Sequence, residues 1–90
     1  MFIPHPDVLF REIDNECVLL DLGSGTYFGL NEVGTRIWNL LREGLPEDDI
    51  VRTIAAEYES DVVTIRADVR RLLSELESRK LIVHGGDSPA

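Results

Sequence analysis

Apolar and polar residues alternate with a period of two over residues 8–30 and then change to a period of about 3.6, dividing the chain into a sheet-forming part and a helical part. In Val8-Leu9-Phe10-Arg11-Glu12-Ile13, β-branched and aromatic residues read as a strand, and Asp14-Asn15 tolerate the positive φ of a tight hairpin. The run from Glu16 to Leu22 places Val18, Leu20 and Leu22 on one face and Cys17, Leu19 and Asp21 on the other. Gly23-Ser24-Gly25 then turns the chain into Thr26-Tyr27-Phe28-Gly29-Leu30. The expected result is a three-stranded antiparallel meander.

Asn31 is a natural N-cap for a first helix with apolar Val33, Ile37, Trp38, Leu40 and Leu41, and Gly44 ends it. A second helix is expected with Pro46 at its first position, Glu47, Asp48 and Asp49 at its positive end, and Ile50, Val51, Ile54, Ala55 and Tyr58 as its buried stripe. A third helix over 62–79 carries Val62, Ile65, Val69, Leu72 and Leu76 within a narrow arc. Leu81-Ile82-Val83 reads as a short extended segment, and residues 84–90 have the composition of a loose tail.

A sheet with one buried face followed by three amphipathic helices packs most economically as two layers. The expected fold is α+β and winged-helix-like, a single domain over 1–90 with an ordered core from about 8 to 83.

Seventeen acidic residues against nine basic ones give a net charge of -8, which opposes nucleic-acid phosphates and anionic membrane surfaces and favours a basic or neutral partner. No apolar run approaches the roughly twenty residues of a membrane span, and the start of the sequence lacks signal-peptide features, so a cytoplasmic protein is expected. The single Cys17 sits in an apolar alternating stretch and reads as a buried structural thiol.

An enzyme needs a poised group, a partner that orients it and a pocket that excludes water, and the inventory does not supply them. His5 and His84 lie near opposite, flexible ends of the chain. Ser24 between two glycines leads into a strand, unlike a nucleophile elbow or a phosphate loop. The acids Glu47, Asp48 and Asp49 are accounted for as a first helical turn rather than as a metal site. The expectation is a non-catalytic chain without metal or cofactor.

Winged helices often bind DNA, and Arg66, Arg70, Arg71, Arg79 and Lys80 gather on or just after the third helix. The acidic row of Asp61, Asp68 and Glu75 on the same helix argues against reading a groove. More informative is the third strand, Thr26 to Leu30, which ends the meander and leaves one edge as a template for an added peptide strand. Backbone groups of Tyr27, Phe28 and Gly29 would supply the hydrogen bonds, with a proline at Phe28 expected to remove an edge donor. Ile65, Asp68, Leu72 and Glu75 share one flank of the third helix and would meet side chains of the added strand, or serve simply as core and surface pairs. The opposite flank, with Arg66, Arg70 and Leu73, is the alternative.

Leu19-Leu20-Asp21-Leu22, Tyr27-Phe28-Gly29-Leu30-Asn31, Gly34, Ile37-Trp38, Leu40-Leu41, Ile50, Asp68-Val69, Leu72-Leu73, Leu76 and Leu81-Ile82 occur in an order that resembles the PqqD-like family, recognition domains for ribosomally made, post-translationally modified peptides. Within it the chain looks most like the stand-alone leader-binding chaperones of lasso-peptide biosynthesis. The resemblance implies a winged-helix-like fold, a precursor leader added antiparallel to the third strand and resting on the third helix, and no catalysis. The peptide-binding residues are then expected among Thr26, Tyr27, Phe28, Gly29, Leu30, Ile65, Asp68, Leu72 and Glu75. Implied partners are a leader-cleaving cysteine-type protease and an asparagine-synthetase-like cyclase. A leader chaperone for a radical enzyme in pyrroloquinoline quinone or other modified-peptide synthesis, and a winged-helix DNA-binding protein, are the alternatives.

Overall fold

The computed structural model describes residues 2–85. In chain order it contains β1 (Phe2–Pro4), β2 (Val8–Ile13), β3 (Glu16–Asp21), β4 (Thr26–Leu30), α1 (Glu32–Arg42), α2 (Glu47–Glu57), α3 (Val62–Ser78) and β5 (Ile82–His84). This is the expected α+β, winged-helix-like order, with one strand more than the sequence announced.

The meander pairs β2-β3-β4 in that order. Asp14 and Asn15 take φ of 52° and 68° at its first turn, the left-handed pair that lets a two-residue hairpin follow the strand twist. Alternation then sets the faces: Cys17 and Leu19 are buried, whereas Leu9, Ile13, Val18 and Tyr27 are exposed on the outer side.

The additional strand, β1, pairs antiparallel with β5, Phe2 opposite His84 and Pro4 opposite Ile82. The His5 N–H donates to the Leu81 carbonyl at 2.9 Å, and the Phe2 and His84 rings stack with centroids 4.4 Å apart. This corrects two expectations: the ordered core starts before residue 8, and the segments carrying His5 and His84 meet instead of lying at separate flexible ends. Three residues are too short to show a period, and their partner lies at the far end of the sequence, so no local signal announces the pairing. Of the expected tail, residues 86–90 lie outside the described residues.

The helical boundaries follow capping chemistry. Asn31 caps α1, its side-chain oxygen accepting from the Gly34 N–H at 2.8 Å, and Gly44, at φ 90°, lets the chain leave the helix. Pro46 is the N-cap of α2 rather than its first helical residue. Tyr58 is the C-cap of that helix and is exposed, not part of the buried stripe. In α3 the buried residues are Ile65, Val69, Leu73 and Leu76. The stripe therefore runs through Leu73 instead of Leu72, and Val62 is exposed, because α3 packs on α2 and β5 rather than flat on the meander.

Trp38, fully buried, is the largest side chain of the core and packs with Leu19, Ile37, Ile50, Ile54, Val69 and Leu76. Phe10 approaches its ring edge-on at 6.1 Å, and the Arg42 guanidinium lies 4.0 Å above Phe10, capping the core on the β2 side.

Candidate peptide-binding edge

Backbone parity decides which groups of β4 face outward. The Leu22 N–H donates to the Asp7 carbonyl at 3.0 Å. In an antiparallel ladder hydrogen-bonded and non-bonded pairs alternate, so Leu9–Leu20, Arg11–Val18 and Ile13–Glu16 are also bonded pairs. Cys17, Leu19 and Asp21 of β3 are thereby turned to β4, where they bond Leu30, Phe28 and Thr26. The N–H and C=O groups of Tyr27 and Gly29 point away from the sheet, along an edge with no further strand partner among the described residues. The Phe28 amide, expected at the edge, instead faces Leu19. Tyr27 and Gly29 keep the expected role and Phe28 alone loses it, because parity is set two strands away, at the first hairpin.

Beside this edge lies a groove of about 420 Å³. Its walls are Phe28, Gly29 and Leu30 of β4, Asn31, Val33, Gly34 and Ile37 at the start of α1, and Asp68, Arg71 and Leu72 of α3. Leu72 is half-buried here because the buried stripe of α3 passes through its neighbour Leu73. At the far end of α3 the Arg79 guanidinium sits 4.9 Å from the centre of the Phe28 ring, tying the helix to β4.

The two flanks of α3 have different tasks. Arg66 binds Asp48 at 2.6 Å and Arg70 binds Glu47 at 2.7 Å, so this flank is fastened to the N-terminal turn of α2. The Arg66 guanidinium holds the Asp48 carboxyl below its usual range, and Glu47 raises the Arg70 pKa. The other flank faces β4, where Asp68 pairs with Arg71 and Glu75 with Arg79 at 3.5 Å. Both carboxylates expected to meet a basic ligand are thus already partnered by exposed arginines, contacts weak enough for a ligand to exchange.

Of the residues expected at the site, Phe28, Gly29, Leu30, Asp68 and Leu72 line the groove. Tyr27 offers its backbone at the edge and its ring to the outer sheet face. Thr26 is held in the β3–β4 turn, where its hydroxyl meets that of Ser24 at 2.7 Å. Glu75 is exposed further along α3, and Ile65 lies in the core. Val33, Gly34, Asn31, Ile37 and Arg71 of the groove, and Arg79 beside Phe28, were not among the expected site residues. The adjacency of the Asn31 cap to β4 was the available signal for the first two, since a helix begun there must place its first turn at the end of the edge strand. Cys17 is buried beneath the sheet, and burial pushes its thiol pKa up, leaving a protonated, unreactive group.

A family model for coenzyme PQQ synthesis protein D (PqqD) matches residues 16–82. The chain belongs to the PqqD family. The match spans β3 to β5 and so includes the edge strand and both helices that border the groove. Two solved structures share the fold of this PqqD-family chain with a TM-score of 0.85 each. One, TbiB1 in complex with the TbiA(beta) leader peptide, is 44% identical and covers 94% of this chain and 96% of its own. The other, lasso peptide synthetase B1 complexed with the leader peptide, is 26% identical and covers 92% and 98%. No curated protein matches the chain.

Proposed function

We propose that this chain captures the leader of a ribosomally made precursor peptide by adding it as a strand to β4, catalyses nothing itself, and delivers it to a leader-cleaving cysteine-type protease and an asparagine-synthetase-like cyclase in lasso-peptide assembly. The observation that carries this reading is the unpaired edge of β4 beside a groove roofed by α3, with Tyr27 and Gly29 presenting two sets of backbone groups at the spacing of a ladder. Alternate leader side chains would enter the groove against Leu30, Val33, Ile37 and Leu72, and the others would turn to the outer face. The likeness to two leader-complexed proteins, one of them a lasso peptide synthetase B1, supports the lasso pathway over a radical-enzyme pathway. DNA binding is disfavoured because Arg66, Arg70, Arg71 and Arg79 are each paired with a carboxylate of this chain.

The test is fluorescence anisotropy with labelled TbiA(beta) leader as probe. Tyr27→Pro removes an outward N–H without breaking the β3–β4 ladder and is expected to weaken capture by about tenfold, the scale of one lost edge hydrogen bond with its strand distortion. A Tyr27→Pro protein that is folded and binds as the parent does would exclude strand addition at β4.

A further inference from the structure

We infer that the outer face of the meander is the dock for the leader-cleaving protease, which seats an apolar surface bearing a carboxylate on Leu9, Ile13, Val18 and Leu20 around Arg11. The inference rests on the strand-addition reading and adds to it the place where the next enzyme sits.

The helices lie against the Cys17 and Leu19 side of the sheet and leave its other face bare. On that face Leu9 lies opposite Leu20, Arg11 opposite Val18 and Ile13 opposite Glu16. Leu9 and Ile13 are 54% and 56% exposed, and Val18 is 40% exposed. With Leu20 and Tyr27 they enclose a shallow depression of about 470 Å³. A contiguous apolar face of this kind marks a surface of association, since no core of the protein's own requires its side chains. Most of it lies on β2 and β3, apart from the backbone edge that takes the leader.

Charge says what would cover it. Arg11 is the one charged residue lining the depression. Six other arginines hold carboxylates of this chain and Arg42 lies over the Phe10 ring, whereas Arg11 has no carboxylate partner among the described residues. A second copy packed face to face about a two-fold axis would set Arg11 against Arg11, and would bring together two chains of net charge -8. A partner with an apolar patch and a carboxylate meets both features of the face.

Chain direction says which partner. A leader antiparallel to β4 enters beside Leu30 and leaves past Thr26, the end at which Tyr27, Leu20 and Leu9 form one cross-strand row. The bond to be cut follows the leader, so it emerges at the margin of the apolar face. The groove side is roofed by α3. An enzyme that cuts while the leader is held must therefore come in over the outer face, whereas a cyclase acting on released peptide need not.

The experiment compares the double variant Leu9→Ser/Ile13→Ser, Arg11→Glu and Arg11→Lys with the parent protein. The probes are labelled TbiA(beta) leader and the cysteine-type protease that cleaves the TbiA(beta) precursor. All three positions are exposed and lie on β2, two strands from the leader edge, so melting temperature and leader anisotropy should match the parent. At limiting concentrations of this protein, precursor cleavage should slow about tenfold for the double serine variant and for Arg11→Glu. The rate should recover as the concentration is raised, a change in KM rather than in kcat, and Arg11→Lys should keep most of the parent rate. Parent-like cleavage with both the serine and the glutamate variants would overturn the inference and leave strand addition intact. So would a parent dimer in sedimentation equilibrium that the same substitutions dissociate, since the face would then belong to a second copy. A parent protein that binds leader without accelerating cleavage would also count against the dock. Failure of the parent protein to bind leader at all would instead overturn the underlying reading.

Discussion

Cys17 and Trp38 show how single residues in this fold are fixed by burial. The thiol of Cys17, raised from its ordinary 9.0 chiefly by burial, is held in its neutral form by the folded state. Because the folded pKa exceeds the unfolded one, the corresponding stability is complete below the unfolded value and disappears as pH rises through the folded one. Thermal midpoints measured from pH 7 to pH 11 should therefore fall more steeply for the parent than for Cys17→Ala, once the smaller residue's constant packing deficit is subtracted. Parallel curves would contradict the burial argument. Trp38 leaves its indole N–H without a partner inside the core, yet its apolar bulk outweighs that cost. Trp38→Ala should destabilise by about 3–5 kcal/mol in urea unfolding, and Trp38→Phe by much less because the unpartnered donor leaves with the ring edge. Both residues were legible as core in the sequence, since their periodic positions say so. The Phe28 amide was not, because its direction depends on a parity fixed at the Asp14-Asn15 turn and handed across β3.

Among the elements, α3 was legible in extent but not in rotation. A wheel drawn on apolar residues centres on Leu72 as well as Leu73, and only the ion pairs from Arg66 and Arg70 to α2 show which side is turned inward. The consequence is a clean separation of roles. Charge reversal of Arg66 and Arg70 together should lower the thermal midpoint by a few degrees at low salt, recover in high salt, and leave leader affinity unchanged. Reversal of Asp68 and Glu75 on the opposite flank should selectively weaken a leader bearing lysine near the groove, seen by anisotropy with lysine-to-alanine leaders as controls. Equal responses from the two flanks would mean that α3 is rotated relative to β4 in solution. The groove itself was only half legible: β4 and the Asp68–Leu72 flank can be read from sequence, whereas its third wall, Val33 and Gly34, exists because α1 starts within one residue of the edge strand.

On the scale of the whole molecule, the meander and the helical layer were readable from the change of period, and the β1–β5 pair was not. Pairing Phe2 with His84 joins the two ends of the described chain, and Phe2 lines a cavity with Leu41, Leu45, Ile50 and Leu73 that shares no residue with the groove beside β4. Phe2→Ala should thus reduce stability, measured by urea unfolding, without changing leader affinity; a parallel loss of affinity would show that the clasp and the edge are coupled. Net charge of -8 adds a further expectation, that duplex DNA gives no salt-dependent mobility shift with this protein.

Residue-resolved amide hydrogen exchange, with and without saturating TbiA(beta) leader, tests strand addition to β4 most directly. The account predicts that the Phe28 and Leu30 amides, already bonded to β3, are protected in the free protein, and that the Tyr27 and Gly29 amides become protected only when the leader is bound. Tyr27 and Gly29 amides that exchange equally fast in the free and saturated states would contradict it.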